Sequence, residues 1–277
     1  VGSEMCIRDR PSPRKGGAGA EQESSGYVCR RRARAGRCAW RNTRKQMKRN
    51  AVYTALLTIA SLLIITAVLF TSLQFCMNQR DWYYKTYVKY NTDKQTMMSN
   101  EDMTEAIFRL VDYMEGRVDS IQLSVTEAGR VVEMYNRQEI DHMVDVRALY
   151  QAWRAVRTYG GILAAITIAV CMLTLPKGQR IGMLCRGFLI AAAVFGAVLI
   201  LLGIWVAVDF NSFWTEFHHL FFTNDLWLMD YATCRMIRIC PLPLFNEIVV
   251  RFALMFLVPF ALMLALAVWG RRRSRTK

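Results

Sequence analysis

The chain contains only three histidines, at positions 142, 218 and 219. Two of them fall where an imidazole is more than a surface residue. His142 begins the pattern His-x-x-Asp-Val, with Asp145 and Val146. At about 100° per residue it sits amid an apolar helical side made by Met143, Val146, Leu149, Tyr150 and Trp153. Asp145 lies at the edge of that side, where a carboxylate would fix the imidazole tautomer and stabilise the protonated ring. His218 is flanked in the same way. Phe213, Trp214, Phe217, Leu220 and Phe221 form one aromatic face with His218 at its edge, whereas His219 points to the opposite side with Glu216 and Thr223. Two imidazoles with reference pKa values of about 6.5 exchange protons near neutral pH, which is the chemistry of general acid and base catalysis. No Gly-x-Ser-x-Gly elbow or similar nucleophile motif accompanies them. A metal set drawn from His218, His219, Cys234 and Cys240 has poor zinc spacing, so neither a metal nor any other cofactor is expected. A lone histidine on an apolar face is more often a satisfied core residue. Two on separate apolar faces, both adjoining a membrane segment, move the balance towards function.

The elements that must hold these residues are membrane helices. Four stretches are long and apolar enough to span a bilayer, about 51–75, 159–175, 187–208 and 252–270, and their backbone groups are satisfied only as helices. The fold class is therefore an all-α membrane protein, with a cap formed by the segments 76–158 and 209–250. Within the cap, 99–116 reads as a helix capped by Ser99 or Asn100 and ended by Gly116. Alternation of Ile121, Leu123 and Val125 before Ala128-Gly129 predicts a short hairpin. Asn136 and Glu139 have capping-box spacing, so a helix starting near Arg137 runs toward the second span. Basic short loops place both termini in the cytoplasm and the cap on the outer face: Lys48 and Arg49, then Lys177, Arg180 and Arg186, then the C-terminal run "RRRSRTK". No membrane stretch carries a buried acid or a continuous polar path, which argues against a transporter. A non-enzymatic membrane scaffold is the main alternative to an enzyme.

The formal charge of +14 is misleading as a guide to partners. Val1–Arg10 ("VGSEMCIRDR") matches the translation of a transposase sequencing adapter, and the following residues to about 46 are Arg- and Gly-rich with almost no apolar periodicity. Residues 1–46 are thus expected to be an artefact or a disordered tail, with Met47 as the start. They carry 12 Lys and Arg against 4 Asp and Glu, so 8 of the 14 net charges fall there. Nucleic acid is not an expected partner once these are set aside.

At "HMVDVRAL" and "FHHLFFTNDLWLMD" the chain resembles a family of four-helix bacterial membrane proteins, long catalogued as a domain of unknown function. That family includes the lipoprotein intramolecular transacylase of Gram-positive bacteria. The resemblance covers about 47–277 and is most specific at His142, Asp145 and Val146. It is equally specific at Phe217, His218, Phe221 and Phe222, and continues through Asn224, Asp225 and Trp227. The family's Asp-Pro and Pro-Glu pairs read here as Asp230-Tyr231 and Pro241-Leu242.

The resemblance implies an acyltransferase of the plasma membrane. It would move an acyl chain from the sn-2 glyceryl ester of a diacylglyceryl lipoprotein to the amine of that lipoprotein's N-terminal cysteine. It implies His142 and His218 as the catalytic pair, with Asp145 behind His142. Trp214, Phe217, Phe221, Phe222, Asn224 and Trp227 would be substrate-binding residues. On this reading His142 is the base and His218 the acid or oxyanion donor.

Overall fold

The computed structural model describes the backbone of residues 20–276 and the side chains of residues 44–276; the adapter-like Val1–Arg10 lies outside the described residues. In chain order the elements are α1 (Ala20–Met77), α2 (Arg80–Tyr90), α3 (Thr92–Thr96), α4 (Asn100–Glu115), β1 (Ser124–Glu127), β2 (Arg130–Glu133), α5 (Arg137–Thr174), α6 (Arg180–Val208), α7 (Phe210–Phe221), α8 (Arg235–Arg238) and α9 (Leu242–Arg273). The chain divides into a unit of residues 1–52 and a unit of residues 53–277. The second contains the C-terminal part of α1 and every later element. Among the described residues four helices are long and apolar enough to cross a membrane: Arg44–Met77, Arg137–Thr174, Arg180–Val208 and Leu242–Arg273. The chain is an all-α membrane protein with one small hairpin.

Two of the expected spans are parts of longer helices. The stretch 159–175 continues a helix that starts at Arg137, and 252–270 continues one that starts at Leu242. Hydropathy registers only their charge-free parts, because Arg137, Glu139, Asp141, Asp145, Arg147, Arg154 and Arg157 populate the first six turns of α5. At 1.5 Å per residue a 38-residue helix is about 57 Å long, well beyond a hydrocarbon core of roughly 30 Å. The first turns of α5 therefore stand outside the bilayer. Likewise the helical backbone of α1 begins at Ala20, ahead of the expected start near residue 51.

Where the spans meet, glycine permits close approach. A Cβ on Gly187 of α6 would lie 2.8 Å from Leu57 Cβ, and one on Gly270 of α9 would lie 2.9 Å from Cys185 Sγ. Small residues at such crossings let backbones pack where lipid supplies no hydrophobic drive. Ile65, Ala191, Ala192 and Phe256 fill one buried cluster between the spans.

A second core lies beyond the spans, in a lobe built from α2, α4, the hairpin, the start of α5 and residues near α8. Ser99 caps α4 by accepting from Asp102 N at 2.9 Å, and Gly116 ends it with φ 78°. The β1–β2 pairing turns through Ala128 and Gly129, both at positive φ, as a tight hairpin requires. Two tyrosines cross this core and satisfy carbonyls within it: Tyr87 Oη donates to Ile239 O at 2.9 Å and Tyr135 Oη to Ala106 O at 2.8 Å.

Candidate active site

The irregular stretch between α7 and α8 is held against the exposed start of α5 by polar bonds. Asn136 forms the expected capping box with Glu139. Its amide also donates to Thr233 O at 3.1 Å, while Gln138 Nε2 donates to Leu226 O and Leu228 O, both at 3.0 Å. Glu139 is fully buried; one carboxylate oxygen accepts from Asn136 N at 2.7 Å, the other from Met236 N at 2.6 Å. Further along, Asn224 Nδ2 donates to Asp145 Oδ2 at 2.8 Å. Glu127 on the hairpin pairs with Arg235 at 2.7 Å and Arg238 at 2.8 Å. Burial raises its carboxyl, but the two guanidiniums outweigh this and hold it below the usual range. Polar residues on one side of α5 thus fix the second loop, and that loop brings α7 opposite His142.

The outcome is a cavity of about 530 Å³ with His142 and His218 in its wall. Both rings are almost fully buried, at 8% and 5% exposure, and their centroids are 6.4 Å apart. His218 is stacked on Trp227 at 4.6 Å and packed against Trp214 at 4.5 Å; Phe222 lies edge-on to His142 at 5.4 Å. The spacing leaves room for a reacting group between the imidazoles, and the lining around it is mostly aromatic and aliphatic.

The two rings differ in their partners. His218 Nδ1 lies 2.7 Å from Trp214 O. A carbonyl only accepts, so Nδ1 carries the proton and Nε2 keeps its lone pair in the neutral ring. His142 Nδ1 is buried without a partner. An unpaired acceptor is tolerated more readily in a core than an unpaired N–H, so the proton of neutral His142 belongs on Nε2. Burial lowers the pKa of His142 below 6.5, and charge on His218 would lower it further, while Asp145 pulls it up. For His218 burial again lowers it, the Trp214 carbonyl opposes, and His219 adds to the lowering. The lowering favours the neutral form of both rings, His218 with a bare Nε2 and His142 with a protonated one.

Most of the residues singled out from the sequence meet here. Trp214, Phe217, Phe222 and Trp227 line the cavity with Met143, Val146, Leu149 and Trp153. Phe221 instead supports the wall, edge-on to Trp153 at 6.4 Å and 5.0 Å from Phe217. Asn224 and Asp145 do not line the cavity; they bond each other, and no hydrogen bond joins Asp145 to His142. Asp145 reaches His142 only through its charge. Leu220, placed on the aromatic face by periodicity, is 76% exposed, and His219 is exposed as expected. Tyr231 and Leu242, where the family pattern is broken, are both exposed and lie outside this cavity.

Sequence reasoning missed Tyr83, Met236, Ile237, Cys240 and Phe245, which complete the wall. Their signal is weak because they are scattered over α2, α8, the turn after it and α9. Loss of water pushes the Cys240 thiol up to about 12, so it is no thiolate nucleophile. Cys234 is a free buried cysteine beside the Asn136 amide, and among the described residues no three His, Cys, Asp or Glu gather as a metal site. Every lining residue falls between Met77 and Phe245.

Comparison with known proteins bears on this geometry. The sequence pattern of the family described as "Lipoprotein intramolecular transacylase Lit" matches residues 58–245. The solved structure of the membrane integral lipoprotein intramolecular transacylase Lit from Bacillus cereus is similar, with TM-score 0.65 and 17% identity, covering 83% of this chain and 99% of that one. A variant of that protein with a histidine-to-arginine change gives TM-score 0.64 at 18% identity, covering 86% and 99%. A histidine-to-alanine variant gives 0.64 at 19%, covering 85% and 100%. No curated protein matches the chain.

Proposed function

Because the chain belongs to the lipoprotein intramolecular transacylase Lit family and is an integral membrane protein, we propose that it acts within one lipoprotein. It moves an acyl chain from the sn-2 ester of the diacylglyceryl group to the α-amine of the same cysteine. The observation that carries this reading is the pair of buried imidazoles 6.4 Å apart in a cavity walled by aromatic and aliphatic side chains.

The neutral amine attacks the sn-2 carbonyl, forming the N–C bond and a tetrahedral oxyanion. His218 Nε2 takes the proton from the attacking nitrogen, and His142 Nε2–H donates to the oxyanion. On collapse the C–O bond to glycerol breaks, and the His218 imidazolium returns its proton to the glyceryl oxygen. No net proton is exchanged and no covalent enzyme intermediate is needed. Donor and acceptor share one molecule, so the cavity contributes mainly orientation, for which effective molarities reach about 10⁵ M or more. This assignment reverses the roles expected from Asp145. The Trp214 carbonyl, by holding Nδ1–H, supports Nε2 of His218 as the base, whereas Asp145 is bonded to Asn224. Trp214, Phe217, Phe222 and Trp227 contact the acyl and glyceryl parts of the substrate, and Phe221, Asn224 and Asp145 hold the wall.

The basic residues Lys177 and Arg271–Arg273 support a cytoplasmic position for that end of the bundle, with the histidine-bearing lobe outward. Impermeant maleimide on whole cells should label Asp119→Cys but not Lys177→Cys in a cysteine-free background; the reverse pattern overturns the orientation. The function is tested by mass spectrometry of the N-terminal lipopeptide of a diacylglyceryl lipoprotein. With the protein present, the mass should stay constant while fragment ions move one acyl chain to the amine. An unchanged fragment pattern on several lipoproteins, with the protein folded and inserted, defeats the reading.

A further inference from the structure

Arg251 is the one basic residue of α9 before the terminal Arg271–Arg273, and the rule that places basic residues at the cytoplasmic end does not account for it. It borders a second, more open cavity of about 790 Å³, separate from the histidine site, on the outside of α9 where α2 approaches. Trp82, Tyr90, Asn246, Glu247 and Leu254 line this cavity with it. The guanidinium lies over the Trp82 ring, 5.1 Å from its centroid, and within hydrogen-bonding reach of the Cys76 thiol. No carboxylate among the described residues pairs with it, and its Nε is buried with no hydrogen-bond partner. The neighbouring Glu247 is already engaged by Lys89 and by Tyr90 Oη. Asn246 has a free, exposed amide. Val250, level with Arg251 on α9, and Leu254, about one turn further along it, are each 59% exposed.

We infer that this cavity is a binding site for one glycerophospholipid, with the lipid phosphate on Arg251 and an acyl chain along Val250 and Leu254. No carboxylate balances the Arg251 charge, and a phosphate diester supplies charge and acceptors in the fork geometry that a guanidinium matches. Trp82 holds the guanidinium plane from one side. The cation marks the depth of headgroups, and Leu254, about one turn further into the span, marks that of chains. The substrate of the transacylase reaction is a diacylglyceryl thioether with no phosphate, so this occupant is not the substrate. The inference stands independently of the proposed reaction.

Native mass spectrometry of the delipidated full chain in detergent, titrated with phosphatidylglycerol, tests it. One molecule should bind with preference over diacylglycerol of the same chains, and Arg251→Gln should weaken that binding on the order of tenfold, the effect of one charge-assisted bond. Leu254→Trp, which fills the apolar part and keeps Arg251, should weaken it as well and guards against a misfolded Arg251 variant. Inorganic phosphate at millimolar concentration should not displace the lipid. Equal binding of diacylglycerol, or unchanged phosphatidylglycerol binding in both folded variants, overturns the inference. Displacement by phosphate alone overturns the lipid as occupant and leaves an ion site.

Discussion

Replacing His218 with asparagine separates the two things its ring does. The asparagine amide occupies nearly the position of Nδ1 and retains a donor for Trp214 O, which the histidine holds at 2.7 Å. What is lost is Nε2, the atom assigned as base. Removal of a positioned proton-transfer group costs about 10² to 10⁴ in rate, or about 2.7–5.4 kcal/mol of barrier at 1.36 kcal/mol per decade. The fold loses less. The stacking of the ring on Trp227 contributes on the order of 0.5–1.5 kcal/mol, well inside a typical stability of about 5–15 kcal/mol. His218→Asn is therefore expected to melt close to the wild type and turn over at least a hundredfold more slowly, read from lipopeptide fragment ions over time.

The pH profile sharpens the test. An α-amine of pKa about 7.7–8.0 must be neutral to attack, so the rate rises tenfold per pH unit up to that range. Because burial lowers the His218 pKa below 6.5, the wild-type slope steepens only below that value, where the base also becomes protonated. His218→Asn lacks the steeper limb. A folded His218→Asn enzyme within tenfold of wild-type rate, or one that keeps the steeper limb, refutes the assignment of base to this ring.

Three other substitutions probe the supports of the site. His219→Ala should change the rate by no more than about threefold, since exposed side chains usually contribute within about 0.5 kcal/mol; a hundredfold loss would point to the wrong histidine. Asp145→Asn keeps an acceptor for Asn224 and removes only a charge, so the rate should fall several-fold while the His142 pKa, followed by NMR, drops further; complete inactivation contradicts a purely electrostatic role. Glu139→Ala leaves two buried backbone N–H groups without an acceptor, at about 1–3 kcal/mol each, and should lower the melting temperature and the rate together; an unchanged melting curve sinks that account.

How much of this was visible in the residues themselves depends on the range of the interaction. The cap at Ser99, the Asn136–Glu139 box, the turn at Ala128-Gly129 and the burial of His218 but not His219 all follow from contacts within four residues or from one helical period. Those features are legible in sequence. Glu139 shows the limit: its first oxygen closes a local box, but its second reaches Met236, 97 residues away. Asp145 was read as the partner of the histidine three residues before it, and the competing donor, Asn224, is 79 positions distant. Leu220 joined the inward face by periodicity alone, which does not distinguish a protein core from a lipid-facing surface when both are apolar. Tyr83, Met236 and Phe245 carried no signal because the cavity they line exists only after α2, α8 and α9 converge.

The uninterrupted course of α5 has a mechanical consequence. His142 stands on a rigid rod whose lower half is a membrane span, while His218 stands on α7, which follows a different span, α6, after a single residue. The two histidines of the proposed proton relay are therefore mounted on separate masts rooted in the same bilayer. A thinner or thicker hydrocarbon layer is met by helix tilt. A tilt of one mast relative to the other changes the gap between the rings at its far end. Turnover in vesicles of graded acyl length should then pass through an optimum, with the bilayer's thickness setting how well the two imidazoles bracket one ester.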